Sequence, residues 1–214
     1  MFDADLRSRR HLIAAAVFLI LLMFFLVPFL TLALGPLHGF LACFLIYWLG
    51  FCIPVGVHFM GQQKRRKQFS LDVTGNAWVP WAVAIQITLV AVPSFMMISG
   101  QVSASVVFAA IGFGVVNGFL EEFSWRGAFL ELGRSDRQFQ WHGVGLFTLW
   151  HVPLAPAHGI VYPGGVFALI SGALAMGAFW AFLAFRTCRI GWAIIGHISS
   201  NSIAFIGFFA SNWC

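Results

Sequence analysis

Two long stretches of this sequence carry no charged side chain. Residues 11–63 and 73–120 contain no Asp, Glu, Lys or Arg, and each is about 50 residues long. A helix needs about 20 apolar residues to cross the hydrocarbon core of a bilayer, so each stretch is long enough to cross it twice. Only 9% of the chain is charged, whereas a soluble domain carries about a quarter. The sequence therefore predicts an all-α, polytopic membrane protein that is embedded in the lipid bilayer.

The apolar runs, read between turn and charge signals, predict about seven transmembrane helices. Glycine and proline break the pattern at some boundaries, and charged residues break it at others. No segment alternates apolar and polar residues, which argues against membrane strands. We expect one membrane domain that covers residues 1–214. The predicted helices are 12–34, 40–60, 81–99, 103–132, 141–156, 165–185 and 191–212.

The basic residues of the predicted loops indicate an orientation. With the N-terminus in the cytoplasm, every loop Lys and Arg falls on the cytoplasmic side, and the opposite loops carry none. The net charge of +5 is explained by this segregation, so we expect no nucleic-acid partner. We expect a multi-pass protein of a cell membrane, the cytoplasmic membrane of a prokaryote. The segregated residues are Arg7, Arg9, Arg10, the basic stretch 64–67, Arg134, Arg137, Arg186 and Arg189.

Three charged residues fall inside the fourth predicted helix rather than in a loop. Glu121, Glu122 and Arg126 follow an uncharged run and precede another apolar one. Charged groups at such depth are costly and mark functional sites by default. Glu122 and Arg126 are spaced i,i+4, which predicts a salt bridge on one helix face. Glu121 lies about 100° around the helix without such a partner, and Asn117, one turn earlier, could hydrogen-bond it.

Two other predicted helices carry buried polar residues. His151 lies in the fifth, and His197 and Asn201 are spaced i,i+4 in the seventh. At 1.5 Å per residue, Glu121, His151 and His197 lie about 18, 15 and 12 Å from the cytoplasmic ends of their helices. A lone membrane histidine more often packs, and a lone Glu–Arg pair can hold helices together. The shared depth of all these residues favours a single site.

The residue types at this level predict hydrolysis. A carboxylate and an imidazole that share a water molecule form a general base. A second imidazole and a side-chain amide can stabilise the oxyanion of a tetrahedral intermediate. The sequence contains no GxSxG or HExxH motif. From the residues alone we expect an amide bond to be cleaved by activated water within the membrane.

Three short motifs in this region resemble those of a known family. Residues 121–127 match EExxxRG, residues 147–151 match FxxxH and residues 197–201 match HxxxN. The same motifs, in the same order and on three membrane helices, are typical of the CPBP family of CAAX proteases and bacteriocin-processing enzymes, also called the ABI family. The resemblance covers the motif-bearing core, about 103–212.

The resemblance implies a glutamate-type intramembrane protease that cleaves a membrane-anchored peptide or protein. Glu121 would activate water with His151, Arg126 would hold Glu122, and His197 and Asn201 would hold the oxyanion. No two candidate ligands share the close spacing of a zincin helix, so we expect no cofactor; zinc bound by Glu121, His151 and His197 is the alternative. A bulky Trp125 before the motif's arginine would affect the pocket. A substrate presented within the membrane or at its cytoplasmic face is expected.

Two other functions fit the same residues. A non-catalytic membrane protein of the same fold, for bacteriocin immunity or as a scaffold, would keep the motifs for structural reasons. A haem protein would use His151 and His197 as axial ligands. The sequence selects no particular substrate and predicts no oligomeric state.

Overall fold

The computed structural model describes residues 2–60, 67–98, 101–134 and 136–213, and within these all regular structure is helical. A π-helical turn at Trp48–Cys52 joins α2 to α3, and a second at Glu122–Gly127 joins α5 to α6. The helices are α1 (Phe2–Ala33), α2 (Pro36–Tyr47), α3 (Ile53–Phe59), α4 (Val79–Met97), α5 (Ala104–Glu121), α6 (Ala128–Leu132), α7 (Arg137–Trp150), α8 (Gly165–Thr187) and α9 (Gly191–Asn212).

Within the described residues, six helical segments are long and apolar enough to cross a membrane. Large apolar side chains cover their outer faces; Phe25 is 77% exposed and Phe167 is 84% exposed. Such exposure is expected where lipid replaces water as the solvent. The prediction of a polytopic helical bundle is confirmed. The six segments are Leu6–Ala33, Pro36–Phe59, Val79–Met97, Ala104–Leu132, Gly165–Thr187 and Gly191–Asn212.

The predicted fifth membrane helix, 141–156, has different bounds in the structure. It begins earlier, at Arg137, and ends at Trp150, so its 14 residues are too few to cross the bilayer. A 3-10 turn, Val152–Leu154, and a non-helical segment at 155–164 follow it. Pro153 and Pro156 explain the early end, because proline removes a backbone donor and disfavours helical geometry in the residue before it.

Polar side chains satisfy the backbone of this non-helical segment. The Thr31 hydroxyl accepts a hydrogen bond from the His158 backbone N–H at 2.9 Å. The Asn212 side chain accepts from the Val161 N–H and donates to the Val161 carbonyl, at 2.9 and 2.8 Å. Non-helical backbone at membrane depth is tolerated where protein surrounds it. These contacts tie the segment to α1 and α9, where it leads from α7 to the start of α8.

The charged side chains of the loops cluster at one end of the bundle, here called the basic end. The opposite end, formed by the turn at Gly35 and by the segment around Pro163, is called the charge-poor end. Lys64, Arg65 and Arg66 of the predicted basic loop lie outside the described residues, as do Ser99 and Gly100. Cytoplasmic placement of the basic end stays a prediction. The polar contacts at the basic end are Arg9–Asp136 at 2.6 Å, Gln68–Glu131 at 2.8 Å and Arg189–Asp72 at 2.7 Å.

Helices α5 and α9 pack closely through glycine. A Cβ atom built on Gly118 would lie 2.8 Å from the backbone nitrogen of Ile198, and one on Gly114 would lie 2.5 Å from that of Ser202. The two backbones are therefore in direct contact, as spaced small residues permit in membrane helices. This contact brings the end of α5 beside His197.

Candidate active site

The two adjacent glutamates of the motif face one imidazole. Glu121 ends α5, and the π-helical turn begins at Glu122. Hydrogen bonds from i to i+5 place more residues in each turn, so successive side chains diverge less than in an α-helix. Glu121 Oε2 lies 3.2 Å from His197 Nε2, and Glu122 Oε1 lies 2.8 Å from His197 Nδ1. The two carboxylates therefore share one partner, the imidazole of His197 on α9.

His197 is fully enclosed by its partners. Its side chain is buried, and the ring of Trp180 stacks on it with centroids 3.8 Å apart. Both ring nitrogens can donate to the carboxylates at once only when the imidazole is protonated. With His197 protonated, His197 and Arg126 balance the charges of Glu121 and Glu122, and the four groups form a buried ionic cluster without net charge.

Arg126 connects this cluster to α7 and α8. Its Nη1 lies 3.2 Å from Glu122 Oε1, which is the salt bridge that the i,i+4 spacing predicts. Its Nη2 donates to the Gly177 carbonyl at 3.2 Å, and its guanidinium carbon lies 3.9 Å from the centre of the Phe147 ring. A Cβ on Gly177 would lie 2.8 Å from that ring. Gly177 and Phe147 thus form the walls of the space that holds the Arg126 guanidinium.

Glu121 has partners that its own helix cannot supply. Its Oε1 accepts from the Tyr47 hydroxyl at 3.0 Å and from Trp150 Nε1 at 3.2 Å. The predicted partner Asn117 instead accepts from Trp48 Nε1 at 2.9 Å. Helical spacing reveals only neighbours on one helix, whereas these donors come from α2 and α7.

Trp125 and Tyr47 form a supporting chain behind Glu121. Trp125 Nε1 donates to the Tyr47 oxygen at 2.6 Å, and the Tyr47 hydroxyl donates to Glu121. Trp125 therefore acts through Tyr47 and does not line the cavity that the sequence predicts it to affect. The sequence contains a signal for Tyr47, since it is one of two tyrosines among 25 phenylalanines. A hydroxyl in a charge-free span needs a polar partner.

His151 presents a free acceptor at the end of α7. Its Nδ1 lies 2.9 Å from the Phe147 carbonyl oxygen. Because a carbonyl only accepts, Nδ1 carries a proton, and in the neutral imidazole Nε2 keeps its lone pair. Asn201, one turn beyond His197 on α9, has an amide that bonds to none of the side chains or backbone groups described.

A cavity of about 320 Å³ connects these groups. Four of the six predicted site residues line it: Glu121, His151, His197 and Asn201. Glu122 and Arg126 lie behind its wall and are buried. The structure thus separates residues that can meet a substrate from residues that hold them in place.

The arrangement does not fit the alternative zinc site. Over the described residues, no three His, Cys, Asp or Glu side chains are grouped to hold a metal ion. His197 directs both nitrogens at carboxylates and His151 directs Nδ1 at a carbonyl. Because both ring nitrogens of His197 contact carboxylates, neither is free to bind a haem iron as an axial ligand. The expectation of no cofactor stays a prediction.

Comparison with known proteins gives a family match over part of the chain. No curated protein and no solved structure matches the chain. A family model described as type II CAAX prenyl endopeptidase Rce1-like matches residues 103–203. The matched segment contains the three motifs and all six predicted site residues, so the resemblance drawn from the motifs is confirmed. Over residues 103–203, a little under half of its length, the chain is similar to the Rce1-like family of type II CAAX prenyl endopeptidases.

Proposed function

We propose that the protein is an intramembrane endopeptidase that hydrolyses a peptide bond of a membrane-associated substrate. We place it in a prokaryotic cytoplasmic membrane. The observation that carries the proposal is the shared cavity of Glu121, His151 and Asn201, backed by a buried ionic cluster. A carboxylate, a neutral imidazole acceptor and an unpaired amide are the groups that amide hydrolysis by water requires.

The first step activates water. A water molecule in the cavity donates one proton to Glu121 while His151 Nε2 orients it. A carboxylate has about four acceptor positions, so Glu121 can accept this proton beside its bonds to Tyr47 and Trp150. The water oxygen forms a bond to the carbonyl carbon of the scissile peptide, and the carbonyl oxygen becomes an oxyanion.

The oxyanion is stabilised from α9. The Asn201 amide donates to it directly. Protonation of Glu121 removes the charge that strengthens its contact with His197 Nε2, which makes that N–H available to the oxyanion. Glu121 then returns the proton to the peptide nitrogen as the carbon–nitrogen bond breaks. The products are a carboxylic acid and an amine.

Glu122 and Arg126 are positioning residues in this mechanism. Glu122 holds His197 through Nδ1, and Arg126 holds Glu122. Neither lines the cavity. Their role is to keep the imidazole beside Glu121 at the wall of the cavity.

The test replaces the base with its neutral isostere. We expect Glu121→Gln to abolish cleavage, because an amide cannot take the proton from water. New N-termini of membrane-anchored proteins would be compared between cells that carry the wild-type protein and cells that carry the variant. Glu131→Gln is the matched control, since Glu131 bonds to Gln68 at the basic end, away from the cavity.

Wild-type and Glu131→Gln cells should share a set of new termini that Glu121→Gln cells lack. Equal yield and thermal stability of the purified variants would show that the loss is chemical. Identical termini in all three strains would contradict the proposal and favour the non-catalytic membrane protein.

A further inference from the structure

The cavity extends from the site toward the charge-poor end. On α9 its wall begins at His197 and continues to Phe208, about 16 Å further along the helix. On α8, which runs the opposite way, it extends from Trp180 to Ala168. Among the lining residues, Met97, Ala168 and Ala204 are exposed, whereas Glu121 is 1% exposed. These three residues lie in the half of the cavity nearer the charge-poor end, where Phe208 stays buried. The cavity therefore opens in its charge-poor half.

The opposite side of the site is closed by packed side chains. No described residue nearer the basic end than His197 on α9 or Trp180 on α8 lines the cavity. Beyond them lies one buried cluster of Val79, Val83 and Leu183. A second buried cluster there comprises Met60, Phe123, Leu130, Ala184 and Ile190. Among the described residues, the cavity wall on α8 and α9 therefore does not extend toward the basic end.

Helices α4 and α8 form the two sides of the opening. Near the basic end they are in contact, since the rings of Trp78 and Phe182 lie 5.8 Å apart. Further along, Val90 and Ser94 on α4 and Leu169 on α8 all line the cavity. The space between these helices therefore leads from the surface to the site.

We propose that the substrate enters from the charge-poor end, between α4 and α8, as an extended apolar segment of polypeptide. This rests on the proposed function and specifies its substrate. With the basic end cytoplasmic, the entry is on the outer face, whereas the sequence favours presentation within the membrane or at the cytoplasmic face.

The depth of the site sets the position of the cleaved bond. Asn201 lies seven residues along α9 from Phe208, which corresponds to about 10 Å. An extended chain rises about 3.3 Å per residue, so about three residues cover this distance. About three substrate residues should therefore separate the residue that lies beside Phe208 from the cleaved bond, which lies beside Asn201.

Thiol labelling of the full chain in sealed vesicles tests the route without requiring activity. Native Cys188 is exposed at the turn before α9 and marks the basic end. With Cys43, Cys52 and Cys214 changed to alanine, Ala204→Cys adds a thiol to the exposed part of the cavity wall. A charged, membrane-impermeant maleimide would be added to vesicles of each orientation.

We expect Ala204→Cys to react from the face opposite to the one at which Cys188 reacts. Ile203→Cys is the matched control, because Ile203 is adjacent on α9 but outside the cavity; it should react from neither face. Reaction of Ala204→Cys from the face of Cys188, or from neither face, would overturn the proposal.

A second measurement links the route to cleavage. Maleimide bound at Ala204→Cys should block cleavage of the proteins found by comparing N-termini, whereas treated Ile203→Cys should retain it. Cleavage that persists after complete labelling would refute entry along this path. Absence of cleavage in the wild type would refute the protease function and leave the labelling result unaffected.

Discussion

At the scale of single residues, Glu121 is defined by contacts from three other helices. Tyr47, Trp150 and His197 all direct polar hydrogens at its carboxylate. An ionised carboxylate in an apolar interior is tolerated only when such partners replace water. The motif spacing predicts the Glu122–Arg126 pair but not these contacts, since they depend on how separate helices pack. The grouping of the six site residues was therefore predictable, and the support behind them was not.

Tyr47→Phe tests the supporting chain. The change removes one donor to Glu121 and leaves Trp125 Nε1 without its acceptor. We expect a lower kcat with little change in KM, and a loss of about 1–3 kcal/mol in the free energy of unfolding. Thr31→Val is the control, because it removes a buried hydroxyl far from the site. A kcat for Tyr47→Phe equal to that of Thr31→Val would contradict this role.

Arg126→Ala tests the ionic cluster. Without the guanidinium, the buried Glu122 carboxylate loses one of its two cationic partners. Breaking a buried ion pair costs about 3–5 kcal/mol, so we expect lower yield, lower stability and lost activity. Denaturant unfolding in detergent micelles would measure the stability.

Arg9→Ala is the matched control for Arg126→Ala. The Arg9–Asp136 pair is partly exposed, and such pairs contribute about 0–1 kcal/mol. An Arg126→Ala variant as stable as Arg9→Ala but inactive would show that Arg126 takes a direct part in the chemistry.

At the scale of helices, two irregularities build the site. The π-helical turn at Glu122–Gly127 directs both glutamates at His197, and the break after Trp150 places His151 at a helix end. Hydrophobic pattern predicts membrane helices because burial of apolar side chains follows the helical repeat. The hydrophobic pattern does not reveal a π turn, because a π turn is formed by the same types of residue as an α-helix. Pro153 and Pro156 do signal the break, although they lie inside the predicted helix.

Gly118→Ala tests the close contact of α5 and α9. The added methyl group would meet the backbone of Ile198, which cannot move aside without shifting His197. We expect a loss of about 1–3 kcal/mol in stability and a larger loss of activity. Gly112→Ala is the control, since open space surrounds its Cβ position. Thermal unfolding and cleavage assays on both variants would measure the difference; equal behaviour would contradict the packing role.

At the scale of the whole molecule, the distribution of charged residues along the sequence predicts which end of the bundle is basic and which segments cross the membrane. Basic residues mark one end, and the long uncharged stretches give helices of the right length to cross the membrane. Orientation and a single domain over residues 1–214 stay predictions. The direction in which the cavity opens could not be predicted, because it depends on which side chains fill the space at each end. Trp180 and Phe123 close one side, whereas Ala204 and Gly172 leave the other open.

The ionic cluster also has a consequence for biosynthesis. The ribosome completes α5 before it makes α9, so Glu121 and Glu122 enter the membrane before His197 exists. A charged side chain at the centre of a newly inserted span costs about 2.5–3.5 kcal/mol. Until α9 arrives, Arg126 is the only partner on the same helix. The second cationic partner of the site therefore arrives only with α9, after both glutamates have entered the membrane.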